Sequence, residues 1–406
     1  MNFPVFLARR VTLRSERTFS RLIVRIAIAG IMLGLAIMIL AVAVLKGFKA
    51  EIIQKQRGFA RDIALFRYDY NPLYDNIPIQ LSDQQLQDIA TIDGVRDIQA
   101  VATKPGIIKV NGEVEGMVLK GINQAYDQSY LSSILVQGEP LDFKAGGDIL
   151  NQVLISDVTA NRLGLKAGDD FIMYFVQDPF RKRKFKISGL FHLGVEEVDK
   201  TYIIGDMRVI QRLNNWEPDF YGTYEVRVDD FNHLDQVRSE IYSRLPSEMR
   251  ALSVADIYPQ IFQWLSLLDI NAQVLWILML LVAIINMVSA LLIMILERTQ
   301  MIGMLKALGF SNGGIRKVFL YNALYLIGIG MLLGNLFALG LCYLQDSTHF
   351  FRLDEASYYV SFVPVSLQVW DVVLLNIYIL VFCMLALIIP SGLVARLDPI
   401  KAINFK

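Results

Sequence analysis

The chain has 406 residues, 39 of them basic and 39 acidic, for no formal net charge. That balance excludes the basic excess of a dedicated nucleic-acid binder. With 54% hydrophobic residues gathered in separate blocks and a mean hydropathy of +0.42, the chain reads as an α-helical membrane protein carrying a soluble part.

Residues 1–21 come first. Phe3, Phe6, Leu7, Val11 and Leu13 are interleaved there with arginines. The pattern fits a basic amphipathic helix on the inner membrane surface, and equally the positive flank of a span. Four runs can cross about 30 Å of hydrocarbon, which takes about 20 helical residues. They are 22–45, 270–296, 318–345 and 372–395, and Arg25 is their only charge. Ala41-Val42-Ala43 imitates a signal-peptidase site, but the apolar run before it exceeds the ~7–15 residues of a signal h-region.

Basic residues set the expected orientation. Arg9, Arg10, Arg14, Arg17, Arg21 and Arg25 accompany the start of the first span. Arg298, Lys306, Arg316 and Lys317 lie between the second and third, and Arg396, Lys401 and Lys406 follow the fourth, whereas 346–371 holds only Arg352. Positive segments stay in the cytoplasm. Both termini and segment 297–309 are therefore expected inside, with 46–262 outside.

Segment 46–262 is long enough for a core of its own, and its pattern is mixed α and β. Ile63–Phe66 reads as a strand. Ser82-Asp83-Gln84-Gln85 is a capping box opening a helix through Leu86 and Ile89 to Gly94. Asn111-Gly112 is a hairpin turn between Ile107–Val110 and Val114–Leu119. Val153–Ile155 is a strand followed by a helix to Leu163-Gly164. Phe171–Val176 and Phe185–Phe191 are strands around a basic tip, Asp178–Lys184. Tyr224, Val226 and Val228 alternate as a half-buried strand, and Leu234, Val237, Ile241 and Leu245 mark an amphipathic helix. Ile257–Leu268 suits an interfacial helix anchor, Tyr258 and Trp264 favouring the membrane–water boundary. Its alternative reading is a lateral mouth admitting a lipid between the first two spans.

After the second span, segment 297–309 reads as a short amphipathic helix. Met301, Met304, Leu305 and Leu308 recur at helical spacing, with Glu297, Gln300 and Lys306 off that face. Gly309 sits where a left-handed cap ends a helix, and Ser311 is placed to cap the next. A short loop would have sufficed here, and a helix with an apolar stripe wants a groove on a partner. Pro390 breaks the end of the fourth span.

The chain lacks catalytic signatures of its own. It contains no G-x-x-x-x-G-K-[ST] loop. His192, His233 and His349 lack metal-ligand spacing. Both cysteines, Cys342 and Cys383, lie in apolar runs, and no serine stands in a nucleophile elbow. Glu196, Glu197 and Asp199 read as a solvated loop, with Ca²⁺ or a basic partner as the alternative. No ionisable residue sits mid-span, which argues against an ion-coupled carrier. The protein is thus expected to be no enzyme, and its energy must come from elsewhere.

Glu297-Arg298-Thr299-x-x-Ile302-Gly303-x-Leu305-Lys306-Ala307-Leu308-Gly309 resembles the coupling-helix signature of the FtsX-like permeases, membrane subunits of type VII ABC transporters. The order of one span, a large external domain, three spans and a tail with Asp398-Pro399-Ile400-Lys401-Ala402 is also similar to theirs. Gly47-Phe48, Val153-Leu154-Ile155-Ser156, Leu163-Gly164-Leu165-Lys166, Gly189-Leu190-Phe191 and Tyr258-Pro259-x-Ile261-Phe262-x-Trp264-Leu265 resemble the lipoprotein-releasing LolC/LolE permeases within that superfamily.

The resemblance implies a fold of four transmembrane helices plus a large mixed α+β periplasmic domain, in the bacterial inner membrane. It implies two permease subunits, alike or different, and two copies of a separate ATPase that binds ATP and Mg. That ATPase would dock on Glu297, Arg298, Thr299, Met301, Ile302, Gly303, Leu305, Lys306, Ala307, Leu308 and Gly309. It further implies mechanotransmission without a channel, with a lipid-anchored substrate admitted from the membrane past Leu45, Phe48, Ile261, Phe262, Trp264, Leu265 and Leu268. LolC-type subunits also carry a hook hairpin that captures a periplasmic carrier. Here the matching place is only Gln177–Lys184, which leaves Pro179, Phe180, Arg181 and Arg183 as candidate carrier contacts. Two other readings stay open: a related permease for other lipids, peptides or drugs, and FtsX-type signalling to a cell-wall hydrolase.

Overall fold

A computed structural model describes residues 18–68, 76–143, 148–354, 358 and 360–392. The chain falls into two compact units. The helical unit comprises Met1–Ala50, Trp264–Arg352 and Phe362–Lys406, and the sheet unit comprises Glu51–Gln263 and Leu353–Ser361. The expected surface helix before residue 18 and the basic tail after residue 392 lie outside the described residues.

Four helices are long and apolar enough to cross a membrane: Thr18–Ala60, Pro259–Glu297, Asn312–Thr348 and Val369–Ser391. The first three extend well beyond the expected spans. Hydropathy marks only the part of a helix that needs hydrocarbon, whereas helix ends are set by capping and by Pro and Gly. The first helix therefore continues past Leu45 to Ala60. Ile257–Leu268 spans the junction of two helices. Ser253 caps a four-residue helix, Val254–Ile257. Pro259 then opens the second long helix from its first position, where its missing N–H costs nothing.

The helical unit packs Ile31, Leu35 and Ile39 of the first helix with Ala283, Met287 and Leu291 of the second, Phe319, Leu326 and Ile327 of the third, and Ile379, Cys383 and Leu387 of the fourth. Gly330 and Gly334 let the third helix approach the first closely. A Cβ there would lie 2.8 Å from the Ile31 Cβ and 2.8 Å from the Met32 carbonyl, respectively, as small residues at this spacing allow. Asn335 and Asn376 exchange amide hydrogen bonds of 2.8 and 3.0 Å between the third and fourth helices. The Lys46–Asp371 and Lys49–Asp269 ion pairs, at 2.7 and 2.6 Å, tie the first helix to the fourth and second. The Arg316 guanidinium donates to the Ser391 hydroxyl and the Ile388 carbonyl, closing the end of the fourth helix.

The sheet unit is built on β1 (Ile63–Arg67), β2 (Val95–Val110), β3 (Glu113–Ile122), β4 (Leu135–Gly138), β5 (Gln152–Ser156), β6 (Asp170–Phe175), β7 (Arg181–Phe191), β8 (Tyr202–Asp206), β9 (Thr223–Val228) and β10 (Met249–Ser253). Their order is β10-β1-β9-β2-β3-β8-β5-β7-β4, with β6 pairing β2 and β7. β2 changes partner along its length: Val95–Val101 pairs with β9, and Ala102–Val110 with β3. The β3–β8 and β5–β7 pairs are parallel. Local punctuation matches the sequence. Ser82 and Gln85 form the capping box of Asp83–Ala90, Asn111 and Gly112 turn the β2–β3 hairpin with positive φ, and Gly164 ends Asp157–Leu163 at φ +67°.

Three expectations need correction. Arg181–Lys184 is strand, not loop, so the tip is the turn of residues 176–180, which holds no basic side chain. The antiparallel β6–β7 ladder holds the basic residues in register. Glu196, Glu197 and Asp199 are the first turn of a helix, Glu196–Thr201, rather than a solvated loop. The Asp199 carboxylate is buried and accepts from the Leu193 and Gly194 N–H groups. Burial still pushes its pKa up, opposed by those hydrogen bonds. Finally, β9 is covered on both faces: Glu225, between Tyr224 and Val226, is only 7% exposed and pairs with Lys120.

Candidate functional site: a short helix between two long ones

The second long helix ends at Glu297 and a nine-residue helix, Thr299–Ala307, begins two residues later. Arg298 alone leaves helical geometry, at φ −104° and ψ 19°. The ladder nevertheless runs through it: the Arg298 N–H donates to the Met294 carbonyl at 3.2 Å, and the Ile302 N–H to the Arg298 carbonyl at 3.0 Å. The Thr299 hydroxyl fills the bend by donating to the Leu296 carbonyl at 2.6 Å. At the far end, Gly309 at φ +85° completes a Schellman cap. Phe310 N–H reaches the Leu305 carbonyl and Gly309 N–H the Lys306 carbonyl, both at 2.9 Å. Ser311 then accepts from Gly314 N–H and starts the third long helix.

Packing divides the expected apolar stripe. Thr299, Ile302 and Gly303 are buried, and Met301, Leu305 and Phe310 lean on the helical core. Met304 and Leu308 face outward at 55% and 83% exposure. Leu296, Gln300 and Ala307 share that outward face, while Glu297, Arg298 and Lys306 are half-buried and Gly309 exposed. The exposed apolar surface is therefore narrower than the sequence pattern. It is presented on a segment capped at one end and hydrogen-bonded into a long helix at the other.

The predicted lipid-admitting residues divide between the units. In the helical unit, the Phe48 and Trp264 rings meet edge to face at 6.4 Å, beside the Lys49–Asp269 pair. Leu265 is buried and Leu45 and Leu268 are half-buried. In the sheet unit, Ile261 is buried and Phe262 stacks on Phe231 at 6.0 Å, with the Arg57 guanidinium on that second ring.

At the β6–β7 turn, Pro179 and Phe180 are exposed, and Phe180 rests against Tyr174 at 6.0 Å. Arg181 is held down by the Arg212 carbonyl and Asn215, and Arg183 is half-buried. The sequence reading missed the outward sheet face beside them. Ile107, Lys109, Val114, Ile172, Lys182 and Lys184 are all exposed there. Lys182 and Lys184 stand opposite Tyr174 and Ile172. The signal was the alternation within Arg181–Lys186, masked by reading a charge run as loop.

Comparison with known proteins places this architecture. The family model for the FtsX-like permease C-terminal region matches residues 274–399, and that for the MacB-like periplasmic core domain matches residues 26–243, more than half of the chain. The lipoprotein-releasing system transmembrane protein LolC of Xylella fastidiosa is 23% identical over 97% of this chain and 97% of its own length. LolE of Haemophilus influenzae is 21% identical over 100% of both chains. The periplasmic region of MacB from Actinobacillus actinomycetemcomitans aligns with 50% of this chain and 94% of its own at 13% identity and a TM-score of 0.34. The sheet unit inserted between the first and second helices is thus a periplasmic domain, and this multi-pass membrane protein belongs to the FtsX-like permeases, as a permease subunit of an ABC-type transporter.

Proposed function

We propose that this chain is an inner-membrane permease that uses ATP hydrolysis by a separate ATPase to extract lipoproteins and pass them to a periplasmic carrier. Two ATPase copies dock on Thr299–Ala307 of this chain and of a second permease subunit. The observation that carries the coupling is the Arg298 junction: backbone hydrogen bonds continue across it, so a push on the exposed Met304–Leu308 face reaches the second long helix without a slack joint. The cargo rests on end-to-end similarity to proteins named for lipoprotein release. Apolar spans without ionisable groups in mid-span suit acyl chains rather than ions.

The test is native mass spectrometry of the tagged complex in mild detergent. An ATPase with bound triacylated protein is the expected result, and the mass separates homomeric from heteromeric permease pairs. An ATPase accompanied by a cell-wall hydrolase, without lipoprotein, replaces release by signalling. No ATPase at all removes the docking role of Thr299–Ala307. A second reading, export of another lipid, peptide or drug, is favoured by the MacB-like core and by the short turn at 176–180 where a hook would stand. It predicts a complex free of lipoprotein that turns over ATP faster with its own substrate.

A further inference from the structure

We propose that Lys120 is a positioning residue for transport: with Glu225 it fastens the last turn of the first long helix to the sheet, so that this helix end and the sheet move as one piece. This rests on the reading above and adds where the periplasmic domain takes up the motion. A helix leaves its last carbonyls without internal partners. Here the Lys120 ammonium, projecting from β3, donates to the Phe59 carbonyl at 2.6 Å and lies 4.5 Å from the centre of the Phe59 ring. It also donates to the Glu225 carboxylate at 2.7 Å. β3 and β9 flank β2 on opposite sides, so the pair spans the strand between them.

The next residues continue the fastening. Arg61 turns the chain at φ +54°, pairs with Asp97 and lies over the Tyr126 ring at 5.5 Å. The buried Asp62 carboxylate accepts from Arg57 and from the Val228 N–H.

Stability alone does not explain this arrangement. Lys120 and Glu225 are 3% and 7% exposed. Burial pushes the Lys120 pKa down and the Glu225 pKa up, each opposed by the other's charge. The second Glu225 oxygen is buried with no hydrogen-bond partner among the described residues. Apolar residues of similar volume often replace such a pair without loss of stability. What they lack is direction: an ammonium–carbonyl bond fixes where the helix end sits. A cavity of about 50 Å³ beside the pair, walled by Phe59, Ala60, Ile257 and Tyr258, leaves that end room to shift once the bond is gone.

The experiment compares the wild-type complex, in lipid nanodiscs, with Lys120→Met/Glu225→Leu. Spin labels at Gln54→Cys and Asp93→Cys, both exposed positions, report whether the helix end rides with the sheet. The two native cysteines are buried. The expected result is an unchanged melting temperature and ATP turnover, a label distance that changes from narrow to broad, and lipoprotein release reduced by about tenfold. A narrow distance with wild-type release overturns the proposal. If the double variant does not fold, Lys120→Gln, which removes the charge and shortens the reach, is read by the same two criteria. The label distance needs no cargo, so a wild-type complex that releases no lipoprotein refutes the cargo while leaving this measurement intact.

Discussion

At Gly47 a single hydrogen stands where a side chain would meet backbone. A Cβ there would lie 2.4 Å from the Pro364 carbonyl oxygen and 2.8 Å from the Val365 nitrogen. The contact is held on both sides: the Ser366 N–H donates to the Ala43 carbonyl at 2.9 Å, and Lys46 reaches Asp371. Because the neighbours are main chain, no rotamer change can relieve the clash. Gly47→Val should therefore destabilise the protein by about 1–3 kcal/mol, read as a lower melting temperature in detergent. An unchanged melt would mean that the first helix does not dock on residues 364–366. Gly303→Leu is different in kind. It places a large side chain at a buried position of the short helix, and the expected loss is of transport per ATP, measured in proteoliposomes. Wild-type coupling would remove Thr299–Ala307 from the energy path.

Among the elements, the first and second long helices carry the sharpest test of how a lipid gains access. Phe48 meets Trp264 and Lys49 meets Asp269, so these helices are fastened where the proposed substrate must part them. A reducible bifunctional thiol linker between Lys49→Cys and Asp269→Cys should stop release and restore it on reduction, while ATP turnover continues. Release that persists in the fully linked protein would send the lipid elsewhere. Elements that carry their own punctuation were legible in the sequence: the Ser82 box, the Asn111-Gly112 turn, and the caps at Gly164, Gly309 and Ser311. Each is decided within a few residues. Less legible was whatever depends on distant partners. The change of neighbour along β2 and the double burial of β9 arise from strands far away in the chain. The site divides the same way. The position of the short helix was readable, but not that Met304 and Leu308 face out while Met301 and Leu305 face in, because packing in the helical unit decides it.

For the whole molecule, charge bias and the MacB-like match make the same demand on orientation. An impermeant maleimide should label Asn111→Cys in intact spheroplasts and Ser311→Cys only after permeabilisation. Both positions are exposed and the native thiols are buried. The reverse pattern would invert the topology. One feature of the second long helix then bears on how such a molecule handles force. From Gln260 to Glu297 it contains neither glycine nor proline, the usual sites of sharp bends. Its 39 residues rise about 58 Å, nearly twice the ~30 Å of hydrocarbon. Such a rod is a lever whose arms project beyond the bilayer: tilting it by about 5° about its middle swings each end by about 2.5 Å in opposite directions. The first and third helices carry glycines and this one does not, so a tilt imposed on one end of it is expected to appear, reversed in sense, at the other.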